Sequence, residues 1–123
     1  MGAVAGTPLS IMFSHWDVSN VVTMAGMFQN ATLFNGGDLS RWQVGQVETM
    51  DNMFDGATSF NGDLSSWDVG QVKSMNGMFA GATSFTHQLG GAWSTSTATK
   101  FGMFLNSPGT IAGKVKDADG NIE

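Results

Sequence analysis

"GATSFNGDLSSWDVGQVKSMNGMF", residues 56–79, restates "NATLFNGGDLSRWQVGQVETMDNMF", residues 30–54, with the same apolar residues in the same order. Working outward from this pair, Trp16, Trp42, Trp67 and Trp93 follow one another at intervals of 26, 25 and 26 residues. Phe28, Phe54, Phe79 and Phe104 follow at 26, 25 and 25, each preceded by Met27, Met53, Met78 or Met103. Met24, Met50 and Met75 stand three residues before those Met residues, and Ala-Thr pairs at 31, 57 and 82 lead to Phe34, Phe60 and Phe85. Leu39, Leu64 and Leu89 come next; Phe13 takes the Leu place before Trp16, and Leu9 takes the Phe place. A fixed period of this length marks a tandem array.

Two spacings alternate inside a unit. In "LSRWQV" Trp42 and Val44 lie two apart, which predicts one buried face of a short strand with Arg41 and Gln43 on the other. Val47, Met50, Met53, Phe54 and Ala57 then fall at spacings of 3, 3, 1 and 3, which predicts one stripe of a helical turn. Phe60 and the "NGD" that begins at Asn61 read as the turn back toward the next strand. The expectation is an α/β solenoid of about four coils of 25–26 residues, each a short strand plus a helical turn. One such unit could not fold alone, because ordering it costs about 1.5 kcal/mol per residue against a small buried area. Stacking places Trp over Trp and Phe over Phe, so the Met and Trp columns read as core rather than as a ligand groove.

Composition narrows the function. The chain has 123 residues, which suits one domain over 1–123, with repeats over about 9–107 and a distinct segment at 108–123. In that segment Ile111, Gly113 and Val115 alternate with Ala112, Lys114 and Lys116, then comes "DADGN". This reads as a capping strand and turn, or alternatively as a linker. The net charge is -5 with only five Lys plus Arg, so no basic patch for nucleic acid is expected. There is no Cys, hence no disulfide or thiolate metal site, and no apolar run long enough for a membrane span. "MGAVAGTPLSIMF", residues 1–13, lacks the basic and long apolar regions of a signal peptide.

With the unit written Met-x-x-Met-Phe-x-x-Ala-Thr-x-Phe-Asn-x-x-Leu-Ser-x-Trp-x-Val-x-x-Val, the chain resembles the BspA-like leucine-rich-repeat surface proteins, in the branch described as mycoplasma-type lipoprotein repeats. The likeness covers residues 9–107 and is strongest over Phe60–Phe79. It implies a leucine-rich-repeat-like solenoid on a bacterial cell surface or secreted, with a role in adhesion and no enzyme activity. A full-length chain without a signal peptide would instead be expected in the cytoplasm, as a structural or oligomeric repeat protein. The fourth unit departs from the pattern, since Lys100 stands in the Met column and Trp93 is shifted by one. The family's lipid-attachment Cys is absent.

No motif points to a reaction or a cofactor. Asp17, Asp38, Asp63 and Asp68 could suggest calcium, but Asp17 and Asp68 are interrupted in their column by Gln43, and calcium needs six to eight converging oxygens. His15 and His87 occupy different places in the repeat, which disfavours zinc or a general base. What is left for a partner is the outward strand face: His15, Asp17, Arg41, Gln43, Ser66 and Asp68, a mixed polar row suited to a protein or glycan. The few charges near Leu9 and Phe13 further suggest a homodimer through the amino-terminal coil.

Overall fold

The computed structural model describes residues 16–36 and 38–123. Within them the repeats stack as layers, but the layers are not those of a leucine-rich-repeat solenoid. Among the described residues the expected strand and helical turn of each coil are absent. Helix is confined to a three-residue 3-10 turn, Leu39–Arg41, and one four-residue helix, α1 (Ala92–Thr95). The one sheet among the described residues is a parallel pair of two-residue strands, β1 (Gln88–Leu89) and β2 (Thr110–Ile111). The stretch read as a strand, "LSRWQV", opens with the 3-10 turn and only becomes extended at Trp42.

The helical reading fails for a reason visible in the backbone. Residues 24–30, 50–56 and 75–81 alternate two kinds of hydrogen bond. The amides of Met24, Gly26, Phe28 and Asn30 donate to the carbonyls of Thr49, Asp51, Met53 and Asp55 in the next layer, at 2.8–3.0 Å. The intervening amides of Met27, Gln29 and Ala31 turn back three residues within their own layer, at 3.1–3.2 Å. Met50, Asn52, Phe54 and Gly56, then Met75, Gly77, Phe79 and Gly81, repeat the interlayer set. An α-helix would send every amide back four residues. Here every fourth residue has positive φ instead: Gly26 and Asn30, Asn52 and Gly56, Gly77 and Gly81, Gly102 and Asn106. Gly and Asn are the residues that enter the left-handed region at least cost. The result is a run of turns whose free amides form a ladder, joined by parallel bridges Thr23–Thr49–Ser74–Thr99.

The core expected from the repeat is present. Val47, Met50, Met53, Phe54 and Ala57 are all buried, as are Trp42, Trp67 and Trp93. Phe28, Phe54, Phe79 and Phe104 form one column with ring centroids 5.4–5.6 Å apart and planes within 7° of parallel. Each of the first three also stacks on the second Phe of its own unit, at 4.4, 3.9 and 4.2 Å. Trp42 and Trp67 stack at 6.4 Å. The buried indole N–H of Trp67 donates to the Leu39 carbonyl at 2.9 Å, and that of Trp93 to the Leu64 carbonyl at 3.1 Å. Trp67 and Trp93 thus fill the core and tie their layers to the ones before, whereas Trp16, at the first layer, is 41% exposed. Lys100, at the Met position of the fourth unit, is half-buried and donates its ammonium to the Ser96 and Ala98 carbonyls. Burial, and then the charge of Lys114, hold its pKa below the ordinary lysine value.

The tail closes the far end of the stack. After β2 the alternation predicted for a capping strand breaks at Gly113, whose φ is +76°, and Val115 is exposed. Residues 115–123 fold into a short antiparallel turn, and it is this turn that covers the last layer. Phe104 donates to the Gly120 carbonyl at 3.0 Å, and Gly102 donates to the Asn121 side-chain oxygen at 2.6 Å. Lys116 donates to the Ser107 and Gly109 carbonyls and lies over the Phe104 ring.

Asp117 organises this turn. Its carboxylate accepts the Asn121 backbone amide, the Asn121 side-chain amide and the Asp119 backbone amide, and these bonds, Asn121 first, hold its pKa below the usual carboxylate value. A depressed folded pKa means a contribution present above the unfolded value, about 3.9, and lost as pH falls through the folded one. Acid should therefore loosen the cap before the layered core. In an NMR pH titration, the Gly120 and Asn121 amides should move through this window, and Asp117→Asn should remove that dependence. Identical titration in the two proteins would show that the carboxylate does not organise the turn.

Candidate interaction surface

Exposure around the Trp residues alternates although no strand is formed. Trp42 and Val44 are buried while Arg41 and Gln43 face out; Trp67 and Val69 are buried while Ser66 and Asp68 face out. The 3-10 turn at Leu39–Arg41 buries Leu39 and presents Arg41 at its end. There Arg41 forms an exposed ion pair with Asp38 at 3.0 Å. Ser66 sits over the preceding layer and donates to the Ser40 carbonyl at 3.1 Å. Asp68 lies close to the Gly45 backbone of that same layer and accepts the Gly70 amide at 3.0 Å. Asp17 is exposed and accepts both the amide and the hydroxyl of Ser19. His15 lies outside the described residues. The structure thus brings the two middle pairs of the expected row onto adjacent layers, on irregular backbone rather than on strands.

The acidic residues weighed for calcium each serve their own turn. Asp63 accepts the Ser65 amide, and that bond leads the effects that hold its pKa down, as the Ser19 hydroxyl does for Asp17. Asp38 accepts the Ser40 hydroxyl besides pairing with Arg41. Among the described residues no three His, Asp or Glu side chains converge in a way that could hold a metal ion.

Elsewhere, further polar side chains join layers. Asp51 accepts the Ser74 hydroxyl and the Asn76 amide, and Asn76 in turn accepts the Phe101 amide. At the far end Asn121, from the tail, accepts from Gly102. Asn61 accepts the Thr86 amide at 3.0 Å, and the His87 ring nitrogen bonds the Asn61 carbonyl. The signal was a carboxylate or amide recurring at one repeat position, as at 51 and 76. Those groups are occupied by structure, whereas the Arg41 and Gln43 side chains reach solvent.

The chain belongs to the family described as Mycoplasma protein of unknown function, DUF285, which matches residues 5–116. No curated protein and no solved structure matches it. Membership agrees with the mycoplasma-type repeat seen in the sequence, and the leucine-rich-repeat part of that resemblance is set aside by the fold. Among the described residues no helix is long and apolar enough to cross a membrane.

Proposed function

We propose that the chain is a non-catalytic interaction module of a microbial surface protein, binding a protein or glycan through the outward row around Arg41, Gln43, Ser66 and Asp68. The observation that supports this is the contrast within the row. Buried Trp and Val repeat from layer to layer while their exposed neighbours change from Arg and Gln to Ser and Asp. Stacking requires the first pair and leaves the second free to vary, as a recognition surface needs. Mixed donors and acceptors without a dominant charge suit sugar hydroxyls or peptide groups.

The double substitution Arg41→Glu with Asp68→Lys should abolish binding on a glycan array or to immobilised extracellular proteins. Its stability cost should be only about 1 kcal/mol, since the Arg41–Asp38 pair is exposed. The control is a charge swap in a different exposed pair, Glu48→Lys with Lys73→Glu, which exchanges the partners of a 3.2 Å ion pair. Binding that survives the first change and is lost in the second would move the site to the Glu48–Lys73 row.

A further inference from the structure

The two ends of the stack are not equivalent. At every junction alternate amides of one layer donate to carbonyls of the layer after it, while one amide beside the row donates back, Glu48 to Val22, Lys73 to Glu48 and Thr99 to Lys73. The last layer's amides at Gly102 and Phe104 are met by the tail. At the first layer the carbonyls that correspond to Thr49, Asp51, Met53 and Asp55 are those of Thr23, Ala25, Met27 and Gln29. Among the described residues no donor meets these four. They form a row of acceptors on alternate residues, the acceptor half of the ladder repeated at each later junction.

Three further features set this edge apart. A hollow of about 250 Å³ lined by Val18, Val21, Thr23, Met24, Ala25 and Met27 opens beside it. Val22 is 51% exposed there, at the repeat position that Glu48 and Lys73 fill in later layers. Residues 18–36 contain no charged side chain, whereas the tail at the far end carries Lys114, Lys116, Asp117, Asp119 and Glu123. Charge is the usual device for protecting an open backbone edge, and this edge lacks it.

We propose that this amino-terminal edge docks a segment of a partner polypeptide that takes the same run of turns, presents backbone N–H groups at alternate residues and sets an apolar side chain into the Val18–Met27 hollow. The chemistry is the addition of one more layer to an open backbone edge, with backbone bonds giving affinity and the hollow giving selectivity. A second copy is disfavoured on polarity. Head to head, two rows of four acceptors face each other, and each brings only the Val22 amide, at the back-donating position, against them. Head to tail, the two middle donors of the second copy's last layer, Gly102 and Phe104, are already taken by its own Asn121 and Gly120. The inference is independent of the row around Arg41, so either can fail alone.

The test uses a peptide of residues 47–57, "VETMDNMFDGA", whose amides at Met50, Asn52, Phe54 and Gly56 make the equivalent bonds inside the molecule, to the carbonyls of Ser74, Asn76, Met78 and Ala80. Added to the full chain, it should shift the NMR carbonyl signals of Thr23, Ala25, Met27 and Gln29 and the methyl signals of Val21 and Met24. The same peptide N-methylated at Asn52 and Phe54 loses two donors and should bind at least about tenfold more weakly. Equal binding of the two peptides, shifts confined to other residues, or no shifts would overturn the proposal. Concentration-dependent shifts of the four carbonyls without peptide would assign the edge to a second copy, and would overturn it as stated.

Discussion

Replacing Phe79 by Ala should lower the free energy of unfolding by about 3–5 kcal/mol, the range for a fully buried Phe. Its ring stacks on Phe54 at 5.6 Å, on Phe104 at 5.4 Å and on Phe85 at 4.2 Å, and meets Trp93 at 6.3 Å. Truncation therefore removes contacts in three directions and breaks the aromatic column in the middle. The cavity could shrink only if the layers moved together, and the ladder prevents that. Phe54 donates to the Met78 carbonyl at 2.8 Å, and Phe79 itself donates to the Met103 carbonyl at 2.9 Å, fixing the layer on both sides. Aromatic pairs add about 0.5–1.5 kcal/mol each beyond the area they bury, which places this site toward the upper end. Phe101→Ala is the internal control. That ring is 68% exposed, and its loss should stay within about 0.5 kcal/mol. Urea denaturation of the two variants measures both values; a loss below about 1 kcal/mol at Phe79 would count against a layered core.

The core was legible because it depends on register alone. Residues that recur every 25 or 26 positions must meet when units stack, so Phe54 over Phe79 and Trp42 over Trp67 follow from counting. Local backbone was misread because one spacing serves two conformations. Apolar residues at Val47, Met50, Met53, Phe54 and Ala57 share a face in a helix, and they share one equally in a run of turns. What separates the two is the frame around Met-Phe: "GMFQN", "NMFDG", "GMFAG" and "GMFLN". Gly or Asn brackets the pair in every unit, four residues apart, and all eight have positive φ. In a helix these residues would be a repeated cost; in this backbone they are required. The alternation around Trp42 likewise reports burial and not strand pairing, since a period of two arises wherever extended chain lies on a core. Exposure of Arg41, Gln43, Ser66 and Asp68 could be read from that alternation. The interlayer bonds of Asp51 and Asn76 could not, because they depend on how one layer is offset over the next.

Gly120→Ala should detach the tail and cost about 2–5 kcal/mol. A Cβ at Gly120 would fall within the Leu105 nitrogen and Phe104 carbonyl carbon and 2.5 Å from Leu105 Cα. These are backbone atoms of the last layer and cannot swing aside. The residue also has φ +77°, a conformation costing about 1–2 kcal/mol for a side chain. To relieve the clash the turn must lift, releasing the bonds from Phe104 to Gly120 and from Gly102 to Asn121. Each lost bond is worth about 0.5–1.5 kcal/mol. Gly113→Ala separates the two causes. Its φ is +76°, but a Cβ there meets nothing within 4 Å, so only the backbone term of about 1–2 kcal/mol remains. The lifted tail also uncovers the amides of Gly102 and Phe104, which match the acceptor row at Thr23, Ala25, Met27 and Gln29 of another molecule. Gly120→Ala should therefore associate head to tail with rising concentration, an open-ended mode of contact, while Gly113→Ala should not. Chemical denaturation and light scattering of the pair decide the matter. Equal stability losses, with no association in either variant, would mean that the tail is not what closes this end of the stack.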